Sequence, residues 1–179
     1  MKEFPTLQTD RLILRAFSLD DAADVQHFAC DRDIAAATTS IPHPYEDGMA
    51  EKWIGTHRED FESGKGITSA IESREDTTLI EAIELRINQQ HSRAEMGYWI
   101  GKPYGNHGYC TEAAKVVIRY GFEALGLNRI QARHFTHTAS GHVLTKCGMT
   151  REGCMRQHVL KWGKFVDVEM YSILKKEYM

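Results

Sequence analysis

The chain lacks an excess of either charge: across 179 residues, 22 Lys and Arg stand against 25 Asp and Glu, a net charge of −3. No basic footprint is offered to nucleic acid or to an anionic membrane, so both are disfavoured as partners. Cysteine is sparse as well. Cys30, Cys110, Cys147 and Cys154 form no C-x-x-C pair, which argues against a disulfide framework and for reduced thiols. No apolar run approaches the ~20 residues that span a bilayer, and Met-Lys-Glu-Phe-Pro at the start has no apolar signal region. Repeats, low-complexity tracts and linkers are missing too. What is present is 42% hydrophobic residues over a length that suits one domain, residues 1–179, with a sizeable core. A soluble, cytoplasmic protein is expected.

Periodicity orders the elements. Leu12, Leu14 and Ala16 alternate with Ile13, Arg15 and Phe17 in a first strand, and Ser18-Leu-Asp-Asp caps a helix from about Leu19 to Cys30. Glu46 to Glu62 repeats apolar residues at helical spacing and ends at Gly64-Lys-Gly. Strand-like runs at 67–72, 78–87 and 93–100 read as an antiparallel meander. A helix from Thr111 to Leu125, a strand from Asn128 to Phe135, a short helix from Ser140 to Lys146, and strands at 151–158 and 165–174 complete the order. The fold class is mixed α/β, with the strands flanking the 111–125 helix expected to be parallel.

Residues 97–113, Gly-Tyr-Trp-Ile-Gly-Lys-Pro-Tyr-Gly-Asn-His-Gly-Tyr-Cys-Thr-Glu-Ala, run from a strand through a glycine-studded loop into a helix start. The unpaired amides there, with the positive end of the helix dipole behind them, suit a phosphate or diphosphate. An ordinary strand-to-helix connection has the same glycine spacing.

Nearly the whole chain resembles the GNAT superfamily of acetyl-CoA-dependent N-acetyltransferases, and most of all the RimJ/RimL-type branch of ribosomal-protein N-terminal acetyltransferases. The likeness is carried, in order, by Leu7-Gln-Thr-Asp-Arg-Leu-Ile-Leu-Arg, Pro44-Tyr with Ala50 and Trp53-Ile54, and Ala94-Glu-Met-Gly-Tyr-Trp-Ile. It continues in Gly108-Tyr-Cys-Thr-Glu-Ala, Leu127-Asn-Arg-Ile, Ala139-Ser140, Lys146-Cys-Gly-Met, Glu152-Gly, and Asp167 with Tyr171. It implies a central twisted mixed sheet of about six or seven strands, splayed between the fourth and fifth and flanked by about four helices.

The pantetheine arm of acetyl-CoA would lie between strands 95–100 and 129–135, with its diphosphate on Asn106, His107, Gly108, Tyr109, Cys110 and Thr111. The chain departs from the branch pattern at Gly105-Asn106-His107, where Trp-Gly-Lys is usual, and at Cys110, where alanine is usual. His137 replaces an asparagine that commonly touches the coenzyme, and Glu81 replaces a glycine.

The resemblance implies direct transfer of acetyl to a primary amine, with a backbone N–H near Trp99 or Ile100 stabilising the oxyanion. Ser140 is the expected general acid, or equally a helix N-cap. Glu95 is the first candidate base, against an ion pair with Arg93 or Arg133; Glu81, Glu84 and bulk water compete with it. Cys110 and Cys147 raise a covalent route, which the direct route outweighs because the family takes alanine at Cys110. His134, His137 and His142 lack metal-site spacing, and no metal is expected. Tyr109 and Tyr120 read as packing residues, whereas Trp53 and Tyr98 line a pocket or belong to the core. A protein N-terminal amine, an amino acid, a polyamine or an antibiotic all fit as acceptor, in a monomer or a homodimer whose Trp162 hairpin meets a second subunit. A catalytically idle acetyl-CoA-binding module is the alternative.

Overall fold

A computed structural model of the chain describes residues 3–136, 138 and 140–178. The strands are β1 (Leu7–Gln8), β2 (Leu12–Ala16), β3 (Gly66–Ser73), β4 (Leu79–Asn88), β5 (Arg93–Ile100), β6 (Arg129–Phe135), β7 (Thr150–Lys161) and β8 (Lys164–Leu174). They form one sheet in the order β1-β2-β3-β4-β5-β6-β8-β7. The helices are α1 (Ala22–Ala29), α2 (Arg32–Ala37), α3 (Met49–Glu62), α4 (Tyr109–Glu123), α5 (Ser140–Lys146) and α6 (Lys175–Tyr178). All strand pairs are antiparallel except β5 with β6, which are joined by the α4 crossover.

The described residues thus hold eight strands and six helices, more than the pattern of the sequence suggests. The additions are short. Two residues of β1 show no alternation, and α2 is under two turns, so its stop-start signal is Asp31 alone, whose carboxylate accepts from the Asp33 amide at 2.8 Å. The helix expected from Leu19 opens as a 3-10 turn, Leu19–Asp21, closed by a capping box between Ser18 and Asp21 before α1 begins.

Alternation along the strands divides the core into two layers. On one face Leu12, Leu14, Ile83, Leu85, Met96 and Ile130 pack against Val117, Ile118 and Phe122 of α4. Full burial of such side chains stabilises by about 1.5–3 kcal/mol each. On the other face Ala70 and Leu79 meet Val25 of α1 and Ala50 and Ile54 of α3. This second layer is smaller. Polar strand residues such as Glu84 and Glu95 share its face through the twofold period and border an open cleft.

Candidate active site

The parallel ladder between β5 and β6 runs Arg93↔Arg129, Ala94↔Ile130, Glu95↔Gln131, Met96↔Ala132, and stops. From Gly97 and Arg133 onward the two strands part, while β4 still pairs with β5 as far as Glu81↔Ile100 and β8 with β6 as far as Phe135↔Val168. Both remain held on their outer sides, so the gap is a fixed slot. Gly97 to Ile100 spans about 10 Å at 3.3 Å per residue.

Ladder parity decides which main-chain groups face the slot. Gly101 donates to Ile80 O at 3.3 Å, so the amides of Trp99 and Gly97, at even spacing from it, also turn towards β4. Those of Tyr98 and Ile100 turn to the gap. The donor expected at Trp99 or Ile100 is therefore narrowed to Ile100 and its neighbour Tyr98; Trp99 contributes its side chain to the cleft wall.

At the far end of the slot the chain makes a 3-10 turn over Lys102–Tyr104, then places Asn106 at φ 64° and Gly108 at φ 80° before α4. A side chain at Gly108 would strain that left-handed conformation. Glu112 N–H bonds Gly108 O at 3.1 Å, closing the first helical turn. The amides of Tyr109 and Thr111 lie ahead of that bond, with no intrahelical carbonyl to take them. His107 and Tyr109 stack at 5.8 Å and 18°.

Arg11, from the β1–β2 turn, was not foreseen in this cradle. Its guanidinium lies 4.6 Å over the Tyr109 ring, donates to His107 O at 3.1 Å and pairs with Glu112 at 2.6 Å. Burial pushes the Glu112 carboxyl up, but hydrogen bonds from Thr9 and Arg11 outweigh it and hold it below the usual carboxylate range. Thr9 and Arg11 are about a hundred positions from Glu112, too far for any local pattern to couple them.

At its inner end the slot opens into a 430 Å³ cavity between the sheet and the α1–α3 layer. Glu84 stands across from Gly97, the first residue past the last β5–β6 pair, and a Cβ on Gly97 would come within 2.8 Å of Glu84 Oε1. Glycine there lets the carboxylate lie over the point where the strands part. Burial pushes the Glu84 carboxyl up, against the lowering effect of Arg86, whose Nη2 is 2.9 Å away.

Glu95, opposite Arg86 in the register, is 2.9 Å from Arg133 Nε through Oε1 and accepts from Gln131 Nε2 at 3.3 Å through Oε2. Of the two fates weighed for Glu95, it lines the cavity and forms the ion pair together.

Ser140 is the first residue of α5 and lines the same cavity. Its carbonyl accepts from Tyr98 Oη at 3.3 Å, and burial pushes the Tyr98 phenol far above its usual range, so it keeps its proton. His134 contacts Phe135 O through Nδ1 at 2.7 Å; a carbonyl only accepts, so Nδ1 carries the hydrogen. Its buried Nε2 has no hydrogen-bond partner among the described residues, with Glu169 Oε2 at 3.8 Å. Cys110 is half-buried in the first turn of α4, and Cys147 is buried, its thiol pushed up to about 11 by desolvation and facing Thr111 O at 3.8 Å. His137 and the side chain of Glu81 lie outside the described residues. Among the described residues no cluster of three or more His, Cys, Asp or Glu is arranged to hold a metal ion.

The roof of the cavity is the 38–45 loop, held from outside. Lys161, at the tip of the β7–β8 hairpin, donates to Thr38 O at 2.8 Å and to Ile41 O at 3.3 Å. Trp162 packs near His43 at 5.9 Å and under the Arg32 guanidinium at 5.4 Å, so this aromatic engages its own chain. Trp53 and Trp99 form the apolar wall, with ring centroids 6.2 Å apart. Behind Trp53, edge-on at 4.4 Å, sits His57, buried with neither ring nitrogen hydrogen-bonded among the described residues, its pKa lowered to about 4 by desolvation.

A parted sheet beside a helix start suits an extended ligand with an anionic group at one end. Comparison with known proteins makes the family specific: residues 11–150 match the acetyltransferase (GNAT) domain. Over 175 residues the chain is 37% identical to the uncharacterized N-acetyltransferase YoaA of Bacillus subtilis (strain 168), covering 96% of this chain and 98% of that one.

The same fold occurs in RimL, a ribosomal L7/L12 alpha-N-protein acetyltransferase in complex with coenzyme A. There the TM-score is 0.86 at 16% identity over 95% of this chain and 98% of the other. It occurs also in spermidine N-acetyltransferase from Vibrio cholerae in complex with CoA and spermine, with a TM-score of 0.82 at 22% identity over 95% and 99%. The chain belongs to the GNAT acetyltransferase family and is an acyltransferase.

Proposed function

We propose that the protein transfers the acetyl group of acetyl-CoA directly to a primary amine. The observation that carries this reading is the parting of β5 and β6 immediately after Met96↔Ala132, on the strand that leads through the 101–108 loop into the start of α4. In this reading the diphosphate rests on residues 106–111, the pantetheine arm follows Gly97–Ile100, and the thioester reaches the inner end of the slot. His137 stays a proposed contact of the arm. Fixing the thioester beside the amine supplies on the order of 7–11 kcal/mol of the barrier in favourable cases.

The step then balances as follows. A carboxylate takes a proton from the ammonium, the amine nitrogen bonds the carbonyl carbon, and the oxyanion is held by the Ile100 or Tyr98 amide. As the oxyanion collapses the C–S bond breaks, sulfur receives a proton from the acid, and the nitrogen gives up its second proton to leave the neutral amide, which restores the proton the acid lost. We assign the base to Glu84, since it overlies the slot and its Oε2 has no partner among the described residues, whereas both oxygens of Glu95 are engaged. Glu95 then holds Arg133. Ser140 is the proposed acid for the departing sulfur, with the Tyr98 phenol beside it.

Thiol release from acetyl-CoA against a panel of amines tests the reading, together with the thermal shift on adding acetyl-CoA. Ser140→Ala should lower the transfer rate with little change in acetyl-CoA affinity. Calorimetric binding without thiol release for any acceptor would favour a non-catalytic coenzyme-binding module.

A further inference from the structure

We infer that the acceptor is a zwitterionic monoamine with an apolar or aromatic body, such as a free α-amino acid, its carboxylate read by Arg133 and its ammonium facing Glu84. This rests on the acetyl-transfer reading and adds the substrate class. The inner end of the cavity carries two carboxylates, Glu84 and Glu95, and two guanidiniums, Arg86 and Arg133. Each carboxylate already meets a guanidinium, at 2.9 Å in both pairs. The four charges cancel, so this part of the cavity offers a polycation no net negative charge.

The unused hydrogen-bonding capacity is mostly donor. Glu95 has both oxygens engaged, by Arg133 and Gln131. Arg133 uses Nε for that pair, and its two terminal nitrogens have no partner among the described residues. Its side chain is 28% exposed, and its backbone is the first residue of β6 beyond the last β5–β6 pair. A forked pair of donors is therefore set at the base of the slot, where a carboxylate can be bound side-on.

The remaining carboxylate oxygen among these four side chains is Glu84 Oε2, since Oε1 meets Arg86, and there an ammonium finds both a counter-charge and its base. Next to these polar groups, Met49, Trp53, Trp99, Ile41 and Tyr45 supply an apolar wall for the body of the molecule. Glu84 on β4 and Arg133 on β6 thus stand on either side of Gly97 on one face of the sheet, in a cavity that these apolar side chains also line.

The test is thiol release by the purified protein at saturating acetyl-CoA, with free phenylalanine, leucine and methionine, their carboxamides, and spermidine as acceptors. The expected result is a kcat/KM for the best free acid about tenfold or more above that of its carboxamide, with spermidine slower still. Arg133→Gln should bring the acid-to-amide ratio towards one. Because both acceptors are assayed in one preparation, a partial loss of folded protein cancels from the ratio. Should Arg133→Gln fail to fold, Arg133→Lys, which retains a cation for Glu95, should lower the ratio about threefold by removing the fork.

A carboxamide or spermidine preferred to every free acid overturns the inference. So does an unchanged ratio in the Arg133 variants, or no turnover of any carboxylate-bearing amine. Failure of acetyl transfer itself looks different: acetyl-CoA then leaves the melting temperature unmoved and loses its thiol to no amine.

Discussion

The two ends of the slot are built in opposite ways. The outer end is one continuous stretch, residues 101–112, whose polar groups are main-chain amides set by the φ 80° turn at Gly108 and the axis of α4. The inner cavity is assembled from β3, β4, β5, β6, the 38–45 loop and α3, and its chemistry lies in side chains. Backbone donors tolerate varied residues at 105–107, because the geometry is held by the fold and by Arg11 from outside. Side-chain donors do not. Under the proposed function, one substitution in the cavity should change what is recognised, whereas one at the outer end should change how tightly the coenzyme is held.

This contrast can be broken by mutation. Glu84→Gln should have the largest effect, lowering kcat about 10²- to 10⁴-fold as expected for loss of a general base. Acetyl-CoA affinity by calorimetry should stay within about twofold; a matching loss of affinity would mean that Glu84 belongs to the coenzyme end. Acid should also strike the inner end first. His57 is held neutral, with its pKa at about 4 against an ordinary 6.5, so the unfolded state takes up the proton first as pH falls. Stability present above pH 6.5 is therefore lost as pH falls towards 4, by up to about 3 kcal/mol. His57→Leu should flatten that part of the melting-temperature profile, and an unchanged slope would refute the assignment.

Smaller effects sharpen the division. Gly108→Val forces a β-branched residue into the left-handed region and should weaken acetyl-CoA binding about tenfold while sparing the acceptor KM. Equal changes in both constants would show that the ends are not separable. Lys161→Met removes the ammonium that grips Thr38 and Ile41. The acceptor KM should rise about fivefold, roughly one hydrogen bond's worth, with that of acetyl-CoA unmoved. Faster proteolysis in the 38–45 loop is the independent readout.

Legibility follows the same division. Most strands and the longer helices lie within a few residues of where periodicity puts them, because two-residue and 3.6-residue repeats are written locally in Leu12–Leu14 or Val117–Phe122. The glycine turn at Gly108 and the helix start after it are local in the same way. Arg11 over Tyr109 was not, nor was Glu84 over Gly97, since neither contact leaves a trace in neighbouring residues. Glu95 shows the limit: its place beside the slot follows from its strand, while the engagement of both its oxygens depends on Gln131 and Arg133, one strand over.

What the sequence determined by itself is the mixed α/β order, the glycine turn and the helix start that together make a seat for an anion. Backbone conformation responds to adjacent residues, so such features are encoded where they stand. Only the tertiary structure decided which carboxylate overlies the parted strands, which amides face the gap, and which loop roofs the cavity. Those outcomes depend on register across the sheet and on charges brought together from distant segments, and a change of one residue in register would turn every one of them to the other face.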